Sequence, residues 1–160
     1  MSNSKILCVY YSRSGQTKFL AQQISSLIHC DCEEIILKKP YPDSYSHTVK
    51  MVKDEIENGI TIEIEEIGVD LNKYNVLFVG SPVWWHTFAP PVKMFLEKYN
   101  LDGKTIVPFC SHAGGGEANT FSDFAKYLPA SCILEGFSAY ERNYSRSDIS
   151  IWLDKIMAQI

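Results

Sequence analysis

The chain has 160 residues, of which 46% are hydrophobic and 21% are charged, and its formal net charge is −4 at pH 7. This length fits a single domain, 1–160, that buries about two thirds of its unfolded surface, and the composition excludes a disordered protein. The mild negative charge argues against nucleic acid and anionic membranes as partners. No apolar run reaches the roughly 20 residues of a membrane span.

The N-terminal and cysteine patterns indicate a reducing compartment. Met1–Lys5 leads directly into a strand-like segment and lacks the separate apolar core and cleavage site of a signal peptide. The five cysteines are odd in number and mostly lie in apolar runs, as free thiols do. Cys30 and Cys32 form a lone Cys-x-Cys pair, so we expect no metal site. We therefore expect a cytoplasmic protein.

The first half of the chain alternates strands with helices. Strands are predicted over 5–11 and 34–37, and the first is a continuous apolar run, typical of a strand buried on both faces of a parallel sheet. Apolar residues on one face predict the two helices: Leu20, Ile24, Leu27 and Ile28, then Val49, Val52 and Ile56. The second helix is expected to end near Gly59. Residues 60–67 fit either an exposed strand or an extended crossover.

The second half repeats this alternation. Strands are predicted over 75–80 and 105–110, and a fifth begins at 132–134. Pro90-Pro91 opens a helix, because proline is tolerated in the first turn. The apolar helix faces are Val92, Phe95, Leu96 and Tyr99; Phe121, Phe124, Ala125 and Leu128; and Ile149, Trp152, Leu153, Ile156, Met157 and Ile160. Pro108 removes a hydrogen-bond donor from the fourth strand, so a local defect or bulge is expected there.

Strands that alternate with helices predict an α/β fold with parallel strands, right-handed crossovers and helices on both faces of the sheet. In such sheets ligands bind beyond the carboxyl ends of the strands. Three loops are expected to meet there: 12–17, 81–88 and 111–117. They are respectively rich in hydroxyl groups, in aromatic rings and in glycine.

The first loop has the donors that a phosphate group needs. Ser12, Ser14 and Thr17 carry hydroxyls, Gly15 permits close backbone approach, and the N-terminus of a helix follows. The loop lacks the Gly-Lys-Ser/Thr of a P-loop and the Gly-x-Gly-x-x-Gly of dinucleotide-binding folds. A plain helix cap without a ligand would use the same residues and remains an alternative.

Two other readings of this loop are disfavoured. Low-molecular-weight tyrosine phosphatases use Cys-x5-Arg here, but Arg13 is one residue too close to Cys8. Cys8 also lies within the strand, where its thiol is expected to be buried and inert. A response regulator is disfavoured because no acidic cluster ends the first strand.

Four ordered motifs resemble the flavodoxin family, in particular its compact branch, over nearly the whole chain. They are Tyr11–Thr17 (YSRSGQT), Gly80–Trp85 (GSPVWW), Pro90–Leu96 (PPVKMFL) and Thr105–His112 (TIVPFCSH) with the glycines after it. The resemblance implies a flavodoxin-like three-layer fold with a five-stranded parallel sheet of order 2-1-3-4-5. Pro108 is part of the fourth motif, so the resemblance implies that a proline is accepted within this strand.

The resemblance implies FMN as cofactor, with the phosphate on the first loop and the ring between the other two. The implied contacts are Ser12, Arg13, Ser14, Gly15, Gln16 and Thr17; Pro82, Val83, Trp84, Trp85, His86 and Thr87; and Ser111, His112, Ala113, Gly114, Gly115 and Gly116. Of the adjacent tryptophans, we expect one to pack inside and Trp85 to stack on the flavin. His86 and His112 are flavin contacts or ordinary surface histidines.

The chain departs from well-studied flavodoxins in three ways. His86 follows Trp85 where many have a glycine, His112 and glycines stand where many have a tyrosine, and the charge of −4 is less acidic than is common. One flavin face is therefore expected to be poorly covered.

Three functions follow from these features. The first is a low-potential electron carrier between protein partners, and the second is a small NAD(P)H or quinone reductase acting on a flat substrate. The third is a phosphate-binding protein without flavin. The carrier is preferred because no sequence feature marks a nicotinamide site. We expect a monomer or weak dimer.

Overall fold

The computed structural model describes residues 4–160, so the first three residues, on which part of the signal-peptide argument rests, lie outside it. The strands are β1 (Ile6–Tyr10), β2 (Asp31–Glu34), β3 (Val76–Trp84), β4 (Thr87–Phe88), β5 (Thr105–His112), β6 (Cys132–Ile133) and β7 (Phe137–Tyr140). Their order is β2-β1-β3-β5-β6, with β7 also on β5, and these pairs are parallel. The predicted order is confirmed; β4 is an added antiparallel hairpin strand on β3.

Five helices cover the two faces of the sheet: α1 (Gln16–Ile28), α2 (Tyr45–Asn58), α3 (Pro90–Lys98), α4 (Thr120–Tyr127) and α5 (Arg146–Met157). Alternate residues of β1 point to opposite faces, as strand geometry requires. Leu7 and Val9 join the core under α3 and α4, whereas Cys8 and Tyr10 join the core under α1 and α5. Over residues 4–160, none of the helices combines the length and hydropathy needed to cross a membrane.

The second strand lies three residues earlier than the sequence predicted. The prediction placed it at 34–37 because Ile35, Ile36 and Leu37 are apolar, but the observed strand is the polar Asp31–Glu34. This strand is at the sheet edge with β1 as its neighbour, so its side chains need not be apolar. Ile35 and Leu37 are still buried, but they belong to the segment that leaves the sheet.

Pro108 causes no bulge, contrary to expectation, because the register of β5 on β3 is continuous through it. The carbonyls of Lys104 and Ile106 accept hydrogen bonds from the β6 side, so even-numbered residues of β5 face β6 and β7. Pro108 therefore faces the gap between β6 and β7, where no strand residue needs its missing donor. The sequence prediction missed β7, whose four residues follow this gap.

Residues 60–67 form the extended crossover, one of the two predicted alternatives, and no continuous strand. Their strand-like contact is one isolated antiparallel bridge, between Ile64 and Leu37. Ile64 is buried, and Ile62 and Ile67 pack against the same core as α3 and α4. The segment is therefore an extended connection that covers the edge of that core.

Candidate functional site

Three segments leave the carboxyl ends of the neighbouring strands β1, β3 and β5. The first loop, 12–15, leads into α1; the hairpin, 82–88, includes the turn between β3 and β4; and the glycine loop, 113–119, leads into α4. Because β3 lies between β1 and β5, all three segments come together at one edge of the sheet. This edge is where doubly wound α/β proteins bind their ligands.

Two hydrogen bonds hold these segments, or the elements directly next to them, together. The hydroxyl oxygens of Thr17, in the first turn of α1, and Ser111, at the end of β5, are 2.7 Å apart, and both side chains are buried. The N–H of Asn119 donates to the carbonyl of His86 at 2.8 Å. The first links the start of α1 to β5, and the second links the hairpin to the glycine loop.

The first loop leaves the N-terminus of α1 without a side-chain cap. Gly15 is the N-cap residue, at φ 98°, and no side chain within the described residues caps this end. The hydroxyl of Ser12 accepts the N–H of Gly15 itself, at 3.1 Å. A Cβ on Gly15 would meet no atom within 4 Å, so the loop opens onto free space. The plain helix cap proposed as an alternative is therefore not what these serines form.

Arg13 points away from the helix N-terminus. Its Nη2 donates to the carbonyls of Pro42 and Asp43, at 3.3 and 3.2 Å, and to the Thr48 hydroxyl at 3.3 Å. The guanidinium also lies 6.0 Å from the centre of the Tyr45 ring. Arg13 thus ties the first loop to the start of α2, a role that the sequence did not indicate.

A second arginine, which sequence reasoning missed, approaches the start of α1. Arg142, two residues after β7, donates through Nε to Gln16 Oε1 at 2.9 Å, and its guanidinium lies 4.2 Å from the centre of the Phe19 ring. The sequence did not indicate this position of Arg142, because β7, which leads to it, was not predicted. This contact adds a cation beside the uncapped end of α1.

The turn of the hairpin consists of Trp85 and His86, between the paired residues Trp84 and Thr87. Both have positive φ values, 52° and 68°. Two-residue hairpin turns favour such angles, but they normally use Asn and Gly for them. Two bulky residues in this region carry a local strain of roughly 1–3 kcal/mol each, and such strain often marks a functional site.

The two tryptophans point in different directions. The Trp84 ring packs edge-on against Tyr11 and Tyr41, each with ring centres 5.6 Å apart, as part of the core. Trp85 is 44% exposed, and the amino group of Lys53 lies 5.6 Å from its ring centre. Trp85 is therefore the aromatic ring available to a ligand.

A cavity of about 340 Å³ lies beside the hairpin. Its walls come from Arg13 and Ser14 in the first loop, from four residues of α2 between Tyr45 and Val52, and from residues 82–85. Most of these side chains are apolar or aromatic, and Arg13 adds a cation to the wall. Such a mixture suits a flat organic group with a polar end.

Two N–H groups of the glycine loop are hydrogen-bonded to the residue just before it. His112 Nδ1 accepts the N–H groups of Gly114 and Gly116 at 3.0 and 3.2 Å. The imidazole also stacks on Tyr140, with ring centres 5.5 Å apart and an interplanar angle of 6°. Tyr140 is the second residue that the sequence did not indicate, because it ends β7, and β7 was not predicted. Ala113 and Gly115, in the same loop, are exposed.

A buried carboxyl lies behind the hairpin. Tyr41 donates its hydroxyl to Glu55 Oε2 at 2.6 Å, and Glu55 is only 7% exposed. Burial raises the pKa of Glu55, while the hydrogen bond from Tyr41 acts in the opposite direction. Burial also raises the pKa of Tyr11 to about 12, against the opposing charge of Arg13. The phenols beside Trp84 are thus neutral at physiological pH.

These features define a doubly wound α/β protein with a candidate ligand site at the carboxyl edge of its sheet. Within residues 4–160, no group of three or more His, Cys, Asp or Glu side chains is placed to hold a metal ion. The family model for flavodoxin matches residues 5–156. The chain belongs to the flavodoxin family. No significant match was found among curated proteins.

Solved structures agree with this assignment. A candidate flavoprotein from Bacteroides eggerthii DSM 20697 is 28% identical, with a TM-score of 0.86 over 97% of this chain and 99% of that one. A flavoprotein from Lactobacillus acidophilus NCFM, solved in complex with FMN, is 26% identical, with a TM-score of 0.79 over 94% and 99%. The flavodoxin of Megasphaera elsdenii shares the fold at 16% identity, with a TM-score of 0.56 over 86% and 88%.

Proposed function

We propose that the protein binds FMN, with the phosphate at the first loop and the start of α1 and the ring between the hairpin and the glycine loop. The observation that carries this proposal is the uncapped N-terminus of α1, where Gly15 opens the backbone toward free space. The FMN complex of the similar Lactobacillus acidophilus flavoprotein supports the choice of ligand.

The donors around this helix end suit a phosphate monoester. Ser12, Ser14 and Thr17 carry hydroxyls, and the first backbone N–H groups of α1 point out of the helix. Charge-assisted hydrogen bonds contribute about 1.5–3 kcal/mol each, against about 0.3–1 kcal/mol from the helix dipole. The phosphate is thus held mainly by hydrogen bonds from neutral donors, and Arg142 adds a positive charge nearby.

The hairpin and the glycine loop would hold the flat ring. Trp85 is exposed beside the cavity and offers a stacking surface on one side. The glycine loop lets its backbone approach closely on the other side, with the stacked His112 and Tyr140 rings behind it. Trp84, packed on Tyr11 and Tyr41, holds the base of the hairpin in place.

FMN supplies one-electron and two-electron redox chemistry when bound, and the protein positions it. We propose a low-potential electron carrier that exchanges electrons with redox partner proteins in the cytoplasm, as a monomer or weak dimer. The exposed Trp85 supports this role, because it places the site at the surface, within reach of a partner.

The second candidate is a small NAD(P)H or quinone reductase, and one observation favours it. The cavity of about 340 Å³ beside the hairpin has aromatic walls and an arginine, which suit a small flat substrate next to the ring.

Two glycine variants test FMN binding with a matched control. Gly15 and Gly59 both have positive φ, 98° and 61°, and in both an added Cβ would meet no atom within 4 Å. An alanine adds similar backbone strain at each site, about 1–2 kcal/mol. We expect Gly15→Ala to weaken FMN binding and Gly59→Ala to leave it unchanged, measured by quenching of FMN fluorescence. A wild-type protein that stays colourless and leaves FMN fluorescence unquenched would instead favour the phosphate-binding protein without flavin.

Steady-state kinetics separate the carrier from the reductase. The FMN-loaded protein is mixed with NADPH and a quinone, first alone and then with an added flavodoxin reductase. A carrier oxidises NADPH only when the reductase is present. Rapid oxidation by the protein alone, reduced when Tyr45 at the cavity wall is changed to alanine, would replace the carrier with the reductase.

A further inference from the structure

Three cysteines lie together at the β2 edge of the sheet, away from the three loops. Cys8 in β1 and Cys32 in β2 are direct partners in the parallel register. Because paired residues of parallel strands point to the same face, both sulfurs lie on the side covered by α1. Cys30, just before β2, packs against the same core as Cys8.

The three thiols differ in their access to solvent. Cys32 is exposed, Cys30 is partly buried and Cys8 is fully buried beneath α1. A reagent from solution therefore reaches Cys32 first, with Cys8 directly beside it in the neighbouring strand.

The surroundings of Cys32 favour its thiolate. The neighbouring Cys8 side chain is the largest cause that lowers the pKa of Cys32, and the Ser25 hydroxyl of α1 acts in the same direction. Burial and the carboxylates of Glu33 and Glu34 oppose this shift. Burial raises the pKa of Cys8, so Cys8 keeps its proton. Thiolates are the nucleophilic form of cysteine.

We propose that Cys32 and Cys8 form a peroxide-reactive thiol pair, with Cys32 as the attacking sulfur and Cys8 as the resolving sulfur. The Cys32 sulfur attacks a hydroperoxide, an S–O bond forms, the O–O bond breaks, and the leaving oxygen takes up a proton to depart as water or alcohol. The Cys8 sulfur then attacks the Cys32 sulfur, so the S–O bond breaks and the second oxygen leaves as water with the Cys8 proton. Two thiols and one hydroperoxide give one disulfide, with two electrons passing from sulfur to oxygen.

Geometry favours Cys8 over Cys30 as the resolving residue. The Cα atoms of paired residues on neighbouring parallel strands are about 4.8 Å apart, within the roughly 4.4–6.8 Å range of a disulfide. Their Cβ atoms have about the same spacing, so only a small adjustment brings them to the roughly 4.5 Å limit of a disulfide. Cys30 lies one residue before β2 and two residues before Cys32. Two positions along an extended strand separate Cβ atoms by about 6.6 Å, well beyond the roughly 4.5 Å limit of a disulfide. A Cys30–Cys32 bridge would require the strand to bend.

Peptide mapping tests this proposal directly on the full chain. The protein is reduced, freed of reductant, treated with one equivalent of hydrogen peroxide, alkylated and digested with trypsin. Cys8 falls in the tryptic peptide 6–13, whereas Cys30 and Cys32 both fall in 19–38. We expect a disulfide-linked pair of these two peptides in the wild type and in Cys30→Ser, and none in Cys32→Ser. A free 19–38 peptide that lacks two hydrogen atoms would show a Cys30–Cys32 bridge and overturn the proposal.

Cys132 provides the internal control, because it is also exposed but lies in β6, at the opposite edge of the sheet from β2. With limiting iodoacetamide, we expect Cys32 to be alkylated several-fold faster than Cys132. Equal rates, or no peroxide-dependent loss of the Cys32 thiol, would also overturn the proposal. Neither measurement depends on the flavin or on a variant of the buried Cys8.

Discussion

The first loop follows β1 and the glycine loop follows β5, the two strands on either side of β3. The two loops use their polar groups in opposite ways. The first loop leaves the N-terminus of α1 uncapped and Gly15 facing open space. The glycine loop directs the N–H groups of Gly114 and Gly116 onto His112. The first loop thus has free donors for an anion, whereas the other loop already uses two of its N–H groups on His112. This difference supports the proposal that the phosphate binds at the first loop and the uncharged ring on the other side.

The strongest test of this comparison removes the hydroxyl that joins the two regions. We expect Thr17→Ala to weaken FMN binding by about 1.5–3 kcal/mol, because a hydrogen bond to the charged phosphate is lost. It also leaves the buried Ser111 hydroxyl without its partner. Isothermal titration with FMN measures the loss, and Thr17→Ser, which keeps the hydroxyl, is the control.

Ser111→Ala distinguishes a direct role of Thr17 from a structural one. If Thr17 binds the phosphate directly, Ser111→Ala lowers the free energy of unfolding but weakens FMN much less than Thr17→Ala. Equal losses of affinity in the two variants would mean that the hydroxyl pair acts only by holding α1 on β5.

A glycine at the hairpin turn should separate stability from binding. Trp85→Gly relieves the positive φ of 52°, which raises the free energy of unfolding of the apoprotein by about 1 kcal/mol. The same change removes the stacking surface and weakens FMN by about 0.5–1.5 kcal/mol beyond the lost contact area. Chemical denaturation and FMN titration measure the two effects. Lower stability together with unchanged affinity would show that Trp85 serves the fold instead.

His112→Ala tests the statement that the glycine loop is satisfied from within. Each of its two hydrogen bonds contributes about 0.5–1.5 kcal/mol, so the loop should open locally. Hydrogen exchange at the amides of Gly114 and Gly116 should become faster, while phosphate affinity at the first loop stays the same. Unchanged exchange would mean that other contacts hold the loop.

Glu55 lies in α2, outside both loops. We expect Glu55→Gln to change only the pH dependence of the free energy of unfolding. Burial raises the pKa of Glu55 above its ordinary value of 4.5, so in the folded protein this carboxyl keeps its proton to a higher pH than in the unfolded chain. Stability therefore falls as pH rises from 4.5 through the folded pKa, since the unfolded chain binds fewer protons there. Glutamine removes this slope and still accepts the Tyr41 hydrogen bond, so the variant gains relative to the wild type as pH rises. Urea denaturation at several pH values measures this, and a parallel slope in both proteins would contradict it.

The sequence by itself determined the three central strands of the sheet and predicted the edge at which the candidate site lies. Continuous apolar runs specified β1, β3 and β5, because strands buried on both faces need apolar residues at every position. The order of strands and helices then required the three loops to meet at one edge. Local patterns of this kind depend on residues close together in the chain, so they are visible without a structure.

Tertiary structure decided the features that depend on distant residues. The polar β2 and the short β7 form because β1 and β5 offer them paired backbones, so their own sequences carry little signal. The same holds for Arg13 bound to the start of α2 and for Tyr140 stacked on His112. Even the pairing of Cys8 with Cys32 follows from the register between two strands. Each of these contacts joins residues more than twenty positions apart, and only the folded chain brings them within reach.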